Sequence, residues 1–106
     1  MALDVTMMRV IAMELAKRAP GPEASILKVQ GSEIQQTLTE LMMHALGPRA
    51  LPYQPAALDI GFAGPLAGPD YAVPVTGRYL NHRKASIYAG SNEIQRNIIA
   101  KHLLGL

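Results

Sequence analysis

Proline is unevenly distributed along this chain of 106 residues, and its distribution limits where helices can form. Six of the eight prolines lie in the segment 48–74, together with Gly61, Gly64 and Gly68. Proline has no amide hydrogen to donate to a helix, and it disfavours a helical residue before it. We therefore expect no helix over residues 48–74. A connection of this length is uncommon inside a small domain, so we interpret it as a binding loop, a surface crossing or a partly disordered segment.

The segment before this connection predicts two helices. The first runs from Val5 to Arg18, with apolar residues at helical spacing (Val5, Met8, Ile11, Ala12, Leu15 and Ala16). Pro20-Gly21-Pro22 ends it, and Pro22 suits the first turn of a second helix that ends at Gly47-Pro48. Gly31 lies inside this second helix, where glycine costs about 1 kcal/mol relative to alanine, so we expect a close packing contact there. Two helices joined by a short turn predict an antiparallel hairpin.

Residues 75–106 predict a helix, a break and a final helix. Gly90-Ser91 makes the break, because Ser91 is a good N-cap and Glu93 then falls in the first turn, where the helix dipole favours a carboxylate. Gly105 can close the final helix. The apolar side of the first part consists of Tyr79, Leu80, Ala85, Ile87 and Tyr88. The predicted buried stripe of the final helix consists of Ile94, Ile98, Ile99 and Leu103. The fold class is therefore all-α.

Composition excludes several classes of protein. The chain has no cysteine, which excludes a disulfide scaffold, a thiolate metal site and thiol catalysis, and which fits a reducing cytoplasm. Aromatic residues make up 5%, which favours an aliphatic core between helices over a β-sandwich. The formal charge of +2 is weak evidence for nucleic acid. No apolar run approaches the roughly 20 residues that a membrane span needs. We expect a soluble cytoplasmic domain.

Most catalytic and metal-binding patterns are missing from the sequence. His44, His82 and His102 lie far apart and have no carboxylate at metal-ligand spacing, so we expect no metal site. The carboxylates are scattered, and no acid–base pair can be named. A basic patch on the helix before the break is interpreted as a solvated face, or as a surface that pairs with acidic residues of a neighbouring subunit, in preference to a phosphate contact (Arg78, Tyr79, His82, Arg83 and Lys84).

The most informative segment is Ala89-Gly90-Ser91-Asn92-Glu93. A glycine followed by a capping serine places a helix N-terminus there, and the N–H groups of such an end can bind an anion such as the pyrophosphate of a nucleotide cofactor. Any helix can begin with Gly-Ser, so this pattern alone does not establish a site.

The residues from Lys84 to Leu106 resemble the C-terminal signature of the acyl-CoA dehydrogenase family. The match is specific in Gly90-Ser91-Asn92-Glu93-Ile94-Gln95-Arg96 and in the Leu-Leu-Gly-Leu ending. Gly21 to Lys28 resembles the start of a long helix in the same family's C-terminal helical domain. The resemblance therefore implies that residues 1–106 are part of that helical bundle, with residues 48–74 as a connection within it.

The resemblance implies a function. These enzymes use FAD to oxidise an acyl-CoA thioester between its α and β carbons, and FAD binds between subunits. By this similarity Ser91, Asn92 and Glu93 would contact the adenosine diphosphate part of FAD, and His44 to Gly47 would reach the partner subunit's flavin. Tyr88 and Gly90 would contact the substrate. The expected partners are acyl-CoA, other acyl-CoA dehydrogenase domains or subunits, and further copies in a homo-oligomer, with no nucleic acid and no membrane span.

One departure from the family pattern affects the catalytic assignment. Many members have the glutamate that abstracts the α-proton at the position of Ala89, whose methyl group cannot accept a proton. The resemblance implies that the base lies upstream of Met1 or that the chain belongs to a non-catalytic subunit, so no catalytic residue is assigned. We expect the chain to be inactive alone and to contribute flavin contacts and oligomer interface. A helical interaction module is the alternative, and a helix-turn-helix DNA-binding protein is disfavoured.

Overall fold

The computed structural model describes residues 1–19 and 21–105. Helix α1 spans Ala2–Leu15, α2 spans Glu23–Leu46, α3 spans Val75–His82 and α4 spans Asn92–Leu104. The described residues contain no strand, so the all-α prediction is confirmed. Among them, no helix combines the length and the apolar character that crossing a membrane would require. The predicted stop at Pro20 lies outside the described residues.

Helix α1 ends three residues earlier than predicted, because the chain leaves the helix at Lys17 before it reaches the prolines. The Lys17 amide donates to Glu14 O (2.9 Å) and the Arg18 amide donates to Met13 O (3.0 Å), and Lys17 has a φ of 53°. This is the Schellman arrangement, in which the left-handed residue is usually glycine. The predicted end at Arg18 is therefore wrong, because a lysine here adopts the left-handed conformation that closes the helix.

Helix α2 follows the prediction at its C-terminal end. Gly47 has a φ of 54°, directly after the last helical residue, and Pro48 follows it. The prediction for Gly31 is wrong. A Cβ atom built on Gly31 would meet no described atom within 4 Å outside its own stretch of helix, so no close packing contact explains this glycine.

The proline-rich segment contains 3₁₀ turns in place of α-helix. Gly47–Ala50, Pro55–Leu58 and Asp70–Ala72 form such turns, and the first two have proline at an initial position, where no amide donor is needed. A further 3₁₀ turn, Arg83–Ser86, follows α3. The Gln54 side chain accepts a hydrogen bond from the Ala67 amide (2.9 Å), which joins two parts of this segment that lie 13 residues apart.

The chain divides into two compact units, one of residues 1–34 with 84–106 and one of residues 35–83. The boundary falls inside α2. The buried residues of both units are small: Val10, Ser25, Val29, Ser32, Ala85 and Asn92 in the first, and Thr39, Ala50, Ala72 and Val75 in the second.

The apolar stripes predicted for the helices are largely on the surface. In α1 the buried residue is Val10, whereas all six residues of the predicted stripe are exposed. In α4 the buried residue is Asn92, while Ile94 and Leu103 are 53% and 63% exposed. The predicted buried stripe of α4 is therefore wrong at Ile94 and Leu103, whereas Ile98 and Ile99 are half-buried. Other large apolar side chains of the helices are exposed, among them Leu38, Leu41, Leu80 and Leu104, and so is Ile87 in the turn after Arg83–Ser86.

Candidate functional site

The break between the last two helices is a turn with two successive left-handed residues. Ala89 has a φ of 55° and Gly90 has a φ of 80°. The left-handed region costs a residue with a Cβ roughly 1–2 kcal/mol, which makes Ala89 the more unusual of the two. The surrounding structure must therefore hold this turn in place.

Gln95 is one residue that holds the turn. Its Nε2 donates to the carbonyl oxygen of Ala89 (3.3 Å) from the first half of α4. A Cβ atom on Gly90 would lie 2.5 Å from the same Nε2, so only glycine leaves room for this contact. The Gly90–Gln95 pair thus fixes the peptide that follows Ala89.

The N-terminus of α4 is capped as predicted. The Ser91 hydroxyl accepts a hydrogen bond from the Ile94 amide (3.4 Å), and the Ser91 carbonyl accepts one from the Gln95 amide (2.9 Å). Hydrogen bonds from the amide of Glu93 itself and from the Ser91 hydroxyl hold the pKa of the Glu93 carboxyl below its ordinary value, with smaller effects of the charges on Arg96 and Lys28. A carboxylate therefore lies at this helix end at neutral pH.

Polar side chains join the first turns of α4 to α2. Asn92 is 4% exposed, and its Oδ1 accepts from Lys28 Nζ (2.7 Å) and from Ser32 Oγ (3.2 Å). Asn92 Nδ2 donates a hydrogen bond to Ser32 Oγ (3.0 Å). Further along α4, Arg96 pairs with Glu33 at 2.6 Å on the surface. The Asn92 side chain is thus occupied within the chain.

Five of the seven predicted site residues lie in one continuous segment together with Ala89, and the other two lie in a different unit. Residues 88–93 form one continuous turn and helix start, in which the side chains at 88, 89 and 93 are exposed and Ser91 is half-buried. His44 lies exposed in the last turn of α2, and Gly47 follows that helix; both belong to residues 35–83. The sequence prediction missed Lys28, Ser32 and Gln95. No local pattern signals the contacts of Lys28 and Ser32, because Asn92 lies 64 and 60 residues away from them along the chain.

The basic patch is used within its own unit more than the sequence indicated. The Arg83 guanidinium lies 4.3 Å from the centre of the Tyr79 ring, and its Nη2 donates to the Gln36 carbonyl (2.9 Å). In return, Gln36 Nε2 donates to the carbonyls of His82 (3.2 Å) and Arg83 (3.1 Å) at the end of α3. The interpretation of Arg83 as part of a solvated face is therefore wrong, because its guanidinium packs on the Tyr79 ring and hydrogen-bonds to the Gln36 carbonyl.

A cavity of about 470 Å³ lies in the unit of residues 35–83. Its walls come from the chain before and within Pro55–Leu58 and from one side of α3, and they are mainly apolar with few polar groups (Leu51, Tyr53, Leu58, Leu80, Arg78 and His82 among them). Within residues 1–19 and 21–105 no cluster of metal-ligating side chains is present.

Comparison with known proteins gives one match. A family model described as "Acyl-CoA dehydrogenase, C-terminal domain" matches residues 1–104, which is nearly the whole chain. Neither the comparison with curated proteins nor that with solved structures yields a match.

Proposed function

Because the chain belongs to the acyl-CoA dehydrogenase family as its C-terminal domain, we propose that it serves an FAD-dependent acyl-CoA dehydrogenase as a flavin-contacting and subunit-contacting domain that is inactive alone. The observation that supports this proposal is the turn of residues 88–93, a strained and exposed segment held by contacts inside its own unit. FAD, when bound in such an enzyme, supplies the acceptor for a hydride from the β-carbon of the thioester.

The residues of the turn fit the adenosine part of FAD better than its phosphates. The Glu93 carboxylate, whose pKa is lowered, lies at the helix end where a phosphate would otherwise bind, and like charges there repel each other. A carboxylate and a hydroxyl instead suit the hydroxyl groups of a ribose and an exocyclic amine. In this proposal Ser91 and Glu93 contact adenosine with their side chains, and Asn92 contacts it through its main chain.

The other assigned residues act from separate positions. Tyr88 and Gly90 flank Ala89 in the exposed turn and are proposed to contact the acyl-CoA substrate. His44 and Gly47, at the end of α2, are proposed to reach the flavin of a partner subunit. Ala89 provides no proton acceptor, so the base comes from another part of the complete enzyme.

An interaction module is the second candidate, and the exposed apolar side chains favour it. Leu38, Leu41 and Leu80 are each more than half exposed, and so are Ile87 and Leu104. Large exposed apolar patches usually mark surfaces that bind another protein. In this reading the chain is a non-catalytic partner subunit, and Ala89 is the expected residue at a position where no base is needed.

The test is a titration of the isotope-labelled chain with ADP, followed by NMR. We expect the amide signals of residues 88–93 to shift, and we expect inorganic pyrophosphate, the matched probe without adenosine, to leave them unchanged. Ser91→Ala should weaken the response and His102→Ala, at the far end of α4, should not. Shifts that spread evenly over the chain, or none at all, would contradict the flavin contact.

A second measurement, an activity assay, tests whether the chain alone can oxidise an acyl-CoA. The purified chain with FAD, acyl-CoA and an electron-accepting dye should give no oxidation, because it has no base at position 89. Turnover by the chain alone would refute the proposal that it is inactive. Sedimentation of the chain over a range of concentrations tests the second candidate, which requires association through the exposed apolar side chains.

A further inference from the structure

The buried contacts of Asn92 suggest a role for two residues of α2. We propose that Lys28 and Ser32 are positioning residues, which act through Asn92 to fix the start of α4 and so the turn that carries Ser91 and Glu93. The proposal deepens the flavin contact proposed above and rests on it for its functional meaning. Lys28 Nζ lies 2.7 Å from Asn92 Oδ1, and Ser32 Oγ accepts a hydrogen bond from Asn92 Nδ2 (3.0 Å). The single hydrogen of the Ser32 hydroxyl has two acceptors, the Val29 carbonyl (2.9 Å) and Asn92 Oδ1 (3.2 Å).

Geometry makes Asn92 the point at which α4 is fixed. It is the first residue of that helix, directly after the capping Ser91, and its side chain is buried. Lys28 fixes the orientation of the amide, because an ammonium group can only donate and therefore selects Oδ1. Ser32 then accepts from Nδ2 at the other end. Because Asn92 lies between Ser91 and Glu93 in the chain, anchoring its side chain also limits how far those two residues can move.

The position of Lys28 is unfavourable with respect to the dipole of α4. The N-terminus of a helix carries partial positive charge, so a cation beside it is unfavourable, and cations are stabilising at the opposite end. Lys28 nevertheless places its ammonium group on the first residue of α4. Lys101, in the last turn of the same helix, shows the favourable placement.

A reason for this placement is the charge of Glu93. The Lys28 ammonium is one of the positive charges that lower the pKa of the Glu93 carboxyl. The Lys28 charge is the smallest of the effects that lower this pKa, so the hydrogen bond to Asn92 is the main contribution of Lys28 to the turn. A neutral donor at position 28 would keep the hydrogen bond to Asn92 and would remove the effect of the charge on the Glu93 pKa.

Two substitutions at position 28 separate these effects, and Lys101→Met is the matched control. Lys28→Met removes both the donor and the charge, whereas Lys28→Gln keeps a donor for Asn92. In Lys28→Met we expect the Ile94 amide to exchange with solvent about 3-fold to 10-fold faster, because the cap is less well held. The melting temperature should fall as well, because the buried Asn92 Oδ1 loses its charged donor. Lys28→Gln should restore the protection of Ile94.

The Glu93 pKa, measured by NMR titration, should rise in both Lys28 variants and stay constant in Lys101→Met, which should also lower the melting temperature slightly. Ser32→Ala should also speed exchange at Ile94. The inference is overturned if Lys28→Met lowers the melting temperature while exchange at Ile94 stays at its wild-type rate. That result would make Lys28 an ordinary stabilising contact.

The ADP titration tests separately whether Lys28 affects the proposed flavin contact. If the wild-type chain responds to ADP at residues 88–93, Lys28→Met should weaken its affinity about 3-fold or more, and unchanged affinity would overturn the inference. If the wild-type chain does not respond, the flavin contact fails, and the Ile94 exchange and melting data still decide whether Lys28 and Ser32 position the turn.

Discussion

Replacement of Gly31 by alanine should stabilise the chain, although glycine in a long helix was expected to mark a packing contact. Gly31 lies inside the 24-residue helix α2, and an added Cβ would meet no described atom within 4 Å beyond the helix's own backbone. Glycine in a helix interior costs about 0.8–1.0 kcal/mol relative to alanine, so this is the gain we predict. For a domain of this size it corresponds to a rise of about 4–8 °C in melting temperature.

Gly47→Ala is the matched control on the same helix. It also adds one methyl group with no neighbour within 4 Å, but Gly47 has a φ of 54°. The left-handed conformation costs alanine roughly 1–2 kcal/mol, so this variant should lose stability by about that amount. The two substitutions therefore add the same methyl group and should have opposite effects on stability.

Urea unfolding followed by circular dichroism measures both changes, and an unchanged slope against urea shows that the unfolded state is unaffected. A loss of stability in Gly31→Ala would refute the reasoning, since it would show that the position is in close contact. In a complete enzyme the same variant provides a further comparison. If a partner surface approaches Gly31 closely, alanine will stabilise the isolated chain and weaken the assembly.

Three further predictions concern single residues. Lys17→Gly should stabilise the chain by up to about 1 kcal/mol, because it removes a side chain from a left-handed helix end, and the melting temperature will show it; a lower one would contradict the Schellman assignment. Asn92→Ala should cost about 1–3 kcal/mol in urea unfolding, because it leaves buried polar partners unpaired, whereas a neutral result would mean that water replaces the amide. The folded pKa of Glu93 is depressed, so its contribution to stability is present above its unfolded pKa and is lost as pH falls through the folded pKa. Wild type should therefore melt higher than Glu93→Gln at neutral pH and not in acid, and a constant difference would contradict this.

The sequence allowed good prediction of features that depend on local backbone chemistry. Ser91 caps α4, Gly47 and Gly105 end helices with a positive φ, and no α-helix forms over residues 48–74. Each of these results follows from a property of one residue and its immediate neighbours. The family resemblance is likewise carried by a contiguous stretch, and the match over residues 1–104 confirms it.

Features that depend on contacts between distant segments were not predictable in the same way. Helical spacing identified apolar stripes, but it does not say what covers them, and Leu15 and Leu103 are exposed in this chain. The link between Lys28 and Asn92 joins residues 64 positions apart, so no local pattern shows it. Lys17 could not be foreseen as a helix end, because lysine rarely adopts a left-handed conformation.

The left-handed conformation of Ala89 has a consequence for how such sequences change over evolution. Two of the four alanine codons are one nucleotide away from a glutamate codon, and the backbone at position 89 already holds a residue with a Cβ at φ 55°. A β-branched residue would clash there, whereas a straight side chain would add no further backbone cost. The backbone therefore leaves position 89 open to exchange between a methyl group and a carboxylate without a change in the turn.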